Sequence, residues 1–370
     1  MSLRSYLEKT RRQASFRQID KPVSKHLQAA GLLKALEPDP ILCSQIAESK
    51  FPVMGNLFCS KQTFADYLGI LVNEIIPTLT RAIDSHTPPS VTTNAPCQEV
   101  ILDKPNLDDL PILFHCEGDG GPYISSGVMI SGHPKYGQNM DFHRCMQFSK
   151  TEMAVRVVKT RNFDTFLADL GAVDVAICIG VSPNILVAAA TSVEIGLNEL
   201  EIANAMEAFE VVKALTSDLL IPAEAEFVIE GTIYRDRRHA EGPFVDLTET
   251  RDIIRQEPVL EVKAITHRRD PIWHALLPGG LEHKLLMGMP REPTIFREVD
   301  RVVKCLDVNI NPGGCSWLHA IVKIRKEHED DGIKAIQAAS RGHSSCKHIF
   351  VVDEDINIYD PLSVEWAMAT

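Results

Sequence analysis

The chain has 370 residues, 45% of them hydrophobic and 24% charged, which is a soluble globular profile with apolar material for about two or three domains. A formal net charge of −12 argues against nucleic acid and against anionic membrane as partners, because both repel an acidic protein at long range. The nine cysteines stand singly between Cys43 and Cys346 with no CxxC pair, so neither a disulfide framework nor a zinc ribbon is indicated.

The N-terminal stretch "MSLRSYLEKTRRQASFRQID" is polar and charged and lacks the apolar core of a signal peptide. No run approaches the roughly 18 apolar residues of a membrane span. A cytoplasmic protein is expected. The first hundred residues read as α/β. "KQTFADYLGILVNEIIPTLTRAI" predicts a helical stretch with Leu68, Leu71 and Ile75 at helical spacing. "SHTPPSVTTNAP" (85–96) concentrates Pro, Ser, Thr and Asn and reads as a linker.

The middle is richer in β signals. "PYISSGVMIS", "AEFVIEGTIY" and "PVLEVKAIT" are short strand-like runs between turn residues, and in the last Leu260, Val262 and Ala264 alternate with Glu261, Lys263 and Ile265. A sandwich or small barrel is expected. One helix, "NELEIANAMEAFEVVKAL", interrupts it, with Asn198 as cap and Ile202, Met206 and Phe209 on its inner face. The last segment is α/β again: the helix "DGIKAIQAASRG", ended by Gly342, precedes an apolar strand at 349–352 that runs into three acids. The expected organisation is α/β (α+β), with domains at 1–97, 98–295 and 296–370.

Local motifs leave the chemistry open. "EGDGGPYISSG" and "NPGGCSW" let backbone approach a ligand closely, or are tight turns; neither is a GxGxxG or a P-loop. Asn139 and Arg144 lie five apart in "QNMDFHRCMQF", so on one regular strand they face opposite ways and share a site only through a bulge or turn. Glu199 stands in the first turn of a helix, where the dipole favours an acid; with an Asn oxygen it would also suit a hard cation. Lys347, before the last strand, reads as a solvated lysine, and Asp353, Glu354 and Asp355 after it read as a strand-end turn of partly hydrogen-bonded acids or as a metal cluster. "HAEGPFVDLTET" sets Glu241 and Asp246 around a Gly-Pro turn, after Arg237 and Arg238.

Taken in order, "EGDGGPYIS", "EGPFVD", "LPGGLEHKLLMGMPREP" and "VVDEDINIYDPLSVEWAMAT" resemble the UbiD family of decarboxylases, from about residue 20 to the end. The resemblance implies an N-terminal α/β domain, a central split β-barrel of the flavin reductase type and a C-terminal α/β domain. It implies prenylated FMN as cofactor, supplied by a UbiX-type prenyltransferase, and reversible decarboxylation of an α,β-unsaturated or aromatic acid by a homodimer or hexamer. Arg144 would orient the substrate carboxylate, Glu241 would hold Arg144, and Asp246, where many members have Glu, would be the proton donor. Asn139, Glu199 and Asn162 (in the place of a family His) would hold a divalent Mn or Mg at the cofactor phosphate, with K+ as a further ion. Arg161, Thr191, Ser192 and Lys347 would contact the cofactor. The family also continues past "WAMAT", so the resemblance implies a cut-short piece or a short natural form. The sequence looks most like the archaeal branch, which implies trans-anhydromevalonate 5-phosphate of the modified mevalonate route as substrate, with His143, Arg237, Arg238 and His239 as candidate phosphate-binding cations. The alternatives are an aromatic or heteroaromatic acid (de)carboxylase, a non-catalytic assembly subunit, and a plain FMN-binding redox protein.

Overall fold

The computed structural model describes residues 2–102 and 104–370. The architecture is mixed α/β, and the chain divides into two compact units: residues 1–59, 86–189 and 193–283 form the first, and 60–85, 190–192 and 284–370 the second.

The first unit is built on a nine-stranded sheet whose pairings are all antiparallel. Its strands are β1 (Tyr123–Ile124), β2 (Val128–His133), β3 (Gly137–Phe142), β4 (Cys145–Gln147), β5 (Glu152–Val155), β6 (Ala172–Ile179), β7 (Phe227–Glu241) and β8 (Arg255–His267). They run in the order β1-β4-β5-β8-β7-β6-β2-β3, and the short strand Val100–Ile101 pairs with β8. A β-rich central region is as expected, but instead of a closed small barrel or a sandwich the strands form one sheet in an open order among the described residues. Residues 227–233 of β7 are all buried, as befits a strand covered on both faces, and the run then emerges as exposed Arg235, Asp236, Arg237 and Arg238.

The period-two pattern in β8 breaks where β7 and β8 shift register at Glu230/Gly231. Val262 and Ile265 are therefore both buried, although their spacing places them on opposite faces of a regular strand. Gly231 is required there, since a Cβ would lie 2.2 Å from the Glu261 carbonyl oxygen.

Two helices of this unit position functional side chains: α1 (Asn162–Leu170) and α2 (Glu199–Met206). Asn198 caps α2, its side chain accepting from the Leu200 N–H. The helix is shorter than expected. It stops at Met206, Phe209 lies beyond it, and "EVVK" is strand Glu210–Lys213, paired with Ser90–Val91 and Leu220–Pro222. The two valines of that strand have a better use in a ladder than in a helix. The same pairing gives part of the linker-like 85–96 stretch a place in a sheet.

In the second unit a three-stranded sheet, Cys305–Ile310, His319–Ile324 and His348–Val352, packs with helices Arg291–Asp300 and Asp331–Gly342 around Ile295, Val299, Val308, Val322 and Ala335. The expected continuous helix over 61–83 is instead two, Lys61–Leu68 and Ile75–Asp84. Gly69 ends the first in the left-handed conformation at φ 71°, and Leu71 is 66% exposed rather than buried beside Ile75.

Candidate active site around Arg144

Strand β3 ends at Phe142 and β4 begins at Cys145, so His143 and Arg144 fall in a break between them. That break releases Arg144 from the alternation that would set it opposite Asn139. Its guanidinium, 9% exposed, is held by three carboxylates. Glu241 takes Nε at 2.8 Å and Nη2 at 3.0 Å in a two-point clamp. Asp246 accepts from Nη1 at 2.5 Å and Asp252 from Nη2 at 2.9 Å. Phe244 lies beneath, 4.6 Å from the guanidinium carbon to the ring centre. Burial alone would disfavour the charge, but the hydrogen bonds and field of the three acids overcome it and raise the Arg144 pKa above its ordinary value.

Glu241 is fully buried, and it also accepts from the Tyr123 hydroxyl at 3.0 Å. Burial first, then the charge of Glu241, drives the Tyr123 pKa upward, so the phenol stays a donor. Asp246 differs: its side chain is 42% exposed. One carboxylate is thus locked and dry while the other stands within reach of a ligand.

Local sequence explains the geometry. After β7 delivers Glu241, the Gly242–Pro243 turn leads into a hairpin pairing Phe244 with Asp252 and Val245 with Arg251. Gly242 has φ 96°, a conformation that favours glycine. The stretch "EGDGG" packs on this turn: the Gly120 N–H donates to the Pro243 carbonyl at 2.8 Å, and a Cβ on Gly120 would come 2.2 Å from the Gly242 oxygen. Close backbone approach is what this glycine provides, toward the acid-bearing turn.

A second cluster lies on β3. Asn139 and Glu199 are both 3% exposed. Glu199, at the start of α2, accepts from the Met140 N–H at 2.8 Å. Among the described residues no cation pairs with it. Burial raises its pKa well above the ordinary carboxylate range, and the charge of Asp141 pushes the same way. The Asn139 Nδ2 is buried without a hydrogen-bond partner. Asp141 itself is neutralised by His143, whose Nε2 sits 3.0 Å away and whose Nδ1 donates to the Arg156 carbonyl at 2.8 Å. Burial opposes charge on His143, yet Asp141 outweighs it and the imidazole pKa is raised. The uncompensated group is Glu199. With the Asn139 amide oxygen it offers two hard oxygen donors, a set that fits a divalent cation.

The structure thus brings together Arg144, Glu241 and Asp246, and separately Asn139 and Glu199. Asn162 is the half-buried first residue of α1; its neighbour Phe163 packs on His143 at 5.1 Å, but among the described residues no hydrogen bond joins Asn162 to Asn139 or Glu199. Arg161 occupies the N-cap of α1 and is exposed. Thr191, Ser192 and Lys347 belong to the second unit; Thr191 is buried, and Lys347 is exposed just before strand His348–Val352.

Three of the four candidate phosphate-binding cations are engaged elsewhere. His143 is paired with Asp141, Arg237 with Glu152 and Glu261, and His239 stacks on Phe148 at 3.8 Å. Sequence reasoning missed Asp252 and Tyr123. The signal for Asp252 was a short hairpin, "FVDLTETRD", in which Asp246 just after the first strand and Asp252 on the second converge on one cation.

The family models match most of the chain in three pieces: the N-terminal domain of 3-octaprenyl-4-hydroxybenzoate carboxy-lyase over residues 7–83, its Rift-related domain over 90–281 and its C-terminal domain over 284–370. Among curated relatives, the anhydromevalonate phosphate decarboxylase of Methanothermobacter thermautotrophicus is 37% identical over all of this chain and 88% of its own length. That of Methanosarcina mazei is 38% identical over all of this chain and 87% of its own length. Among solved structures, an evolved dimeric form of the UbiD-class enzyme HmfF from Pelotomaculum thermopropionicum, in complex with prFMN, superposes with a TM-score of 0.97 at 33% identity, covering 100% of this chain and 89% of the other. On the evidence of all three domains and of relatives at this identity, the chain belongs to the UbiD family of carboxy-lyases.

Proposed function

We propose that the chain is a reversible, prenylated-FMN-dependent decarboxylase of a phosphorylated α,β-unsaturated acid, trans-anhydromevalonate 5-phosphate, in isoprenoid synthesis. The observation that carries it is the Arg144 cluster, in a chain whose curated relatives are named for that reaction. When bound, prenylated FMN supplies an electron sink for the pair left as CO2 departs.

The protein's residues do the rest. An arginine carries five N–H donors, and Arg144 spends four on its three acids, so one on Nη1 remains to orient a substrate carboxylate. Glu241 fixes the guanidinium plane, and Tyr123 and Phe244 fix Glu241 and the stacking face. Asp246, half-exposed and bonded to Nη1, would carry the proton that replaces CO2. As the shorter acid, it is drawn to Arg144 by the tight hairpin. Asn139 and Glu199 would hold Mn or Mg at the cofactor phosphate, with K+ as a further ion and Asn162 as a third, weaker donor. Arg161, Thr191, Ser192 and Lys347 would contact the cofactor. A UbiX-type prenyltransferase would supply it, and the working form would be a homodimer or hexamer in the cytoplasm. Among the described residues no helix is long and apolar enough to cross a membrane.

The test is CO2 release from the synthetic phosphorylated enoic acid by protein co-produced with a UbiX-type prenyltransferase. Turnover is expected with this acid and not with its unphosphorylated form. Turnover of aromatic acids alone would replace the substrate assignment.

A further inference from the structure

The bulge at the outer end of β7 builds a basic cavity. Between Tyr234 and Arg238 the register against β8 slips: Tyr234 faces Val259, Arg238 faces Pro258, and residues 235–237 are extra. Such an insertion breaks strict alternation. Arg235 and Arg238, which odd spacing would send to opposite faces, both line one cavity of about 790 Å³. Arg237 is not in its wall; it turns to Glu152 and Glu261. Lys159, from the segment before α1, lines the same space, as do Arg156 and Arg255.

Charge accounting separates these cations. Arg156 is neutralised by Glu257 at 3.0 Å and Arg255 by Asp252 at 2.5 Å. The other acid in the wall, Asp164, is occupied by the Thr160 N–H at 2.9 Å. The Arg235 guanidinium donates to the Ala168 carbonyl, and among the described residues no carboxylate pairs with Arg235, Lys159 or Arg238. Three cations without a carboxylate partner, against the one acid Asp164 that lacks a cation partner among the described residues, leave the wall net positive in a chain of net charge −12. Two forked guanidinium groups and a lysine are the donor set for a phosphate dianion rather than for a lone carboxylate.

We propose that this cavity is a binding site for a phosphate-bearing small anion. One wall connects to the candidate active site through a single residue: Arg255 and Arg144 share the Asp252 carboxylate. The anion is therefore either the phosphate end of the substrate itself or a separate phosphometabolite; only the first source rests on the decarboxylase reading above.

The experiment is calorimetric titration of the full chain with inorganic pyrophosphate and with inorganic phosphate, at low and at moderate salt. Saturable one-site binding is expected, weakened at least tenfold in R235A/R238A and in K159A/R238A, and unchanged in R237A, whose guanidinium is engaged outside the cavity. The substituted residues are exposed, and thermal melts matching the wild type show that folding is intact. Absence of saturable binding to wild type, or equal weakening by R237A, overturns the site while leaving the decarboxylase reading intact. Given binding, pyrophosphate competing with the enoic acid in wild type, with a raised KM in R235A/R238A, assigns the cavity to the substrate phosphate. Binding without competition assigns it to a separate anion.

Discussion

Arg144 and Glu199 lie in the same unit and are both buried, but one is surrounded by counter-charge and the other is not. Arg144 has three carboxylates, an aromatic face and a tyrosine behind its main partner. Glu199 has backbone N–H donors, an orphaned amide on Asn139 in the same cluster, and the like charge of Asp141 acting on it. A buried charge without a partner is costly, so the first cluster is complete as folded, while in the second protonation of Glu199 or a bound cation would relieve the cost. The first cluster carries its own counter-charge, and the second offers two oxygen donors that a cation would complete.

The comparison can be broken by substitution. Arg144→Ala removes the cation that joins the three acids and leaves Asp252 with Arg255 alone; kcat/KM of the loaded enzyme is expected to fall by roughly a thousandfold or more, with cofactor retained by absorbance. Asp246→Asn keeps the hydrogen bond to Nη1 but cannot supply a proton, and kcat should fall by about a hundredfold or more, with Asp246→Glu restoring part of it. Were Asn to keep full activity, the proton would come from elsewhere.

Glu199 sharpens the other side. Its folded pKa is raised, so without a cation the folded protein holds a proton that the unfolded chain gives up above the ordinary value of 4.5. Stability from this group is therefore lost as pH rises from that value through the raised one, and Glu199→Gln should flatten that part of the melting-temperature profile. Cation binding needs the carboxylate, so Mn affinity should weaken as pH falls below the raised pKa, and roughly one proton should be released on binding. Asp252→Asn is the smallest change: Arg144 keeps Glu241 and Asp246, so a kcat effect of about tenfold or less is expected. Asp252 is held below the ordinary carboxylate range, burial being outweighed by Arg255 and Arg144, so it remains charged at neutral pH.

How much of this could be read from the chain depended on whether an interaction was local. Asn198 as cap, the strand at 349–352 and the acids around Gly242–Pro243 are fixed within a few residues, and they were legible. Arg144 and Glu241 are 97 residues apart, so only ordered motif resemblance could join them. Asp252 was hidden because its role depends on hairpin pairing with Phe244 rather than on spacing. The helices were over-extended for physical reasons: Gly69 ends one, and the valines of 210–213 find a ladder. The cations at 235–238 sort into cavity and surface only through the register slip against β8.

The division of labour between the two clusters is tested most directly by the EPR spectrum of Mn(II) titrated into the protein with FMN present. The account predicts a bound-Mn signal in wild type and in Arg144→Ala, and its loss or at least tenfold weakening in Glu199→Gln. Mn(II) held by Glu199→Gln as tightly as by wild type, or released by Arg144→Ala, would contradict it.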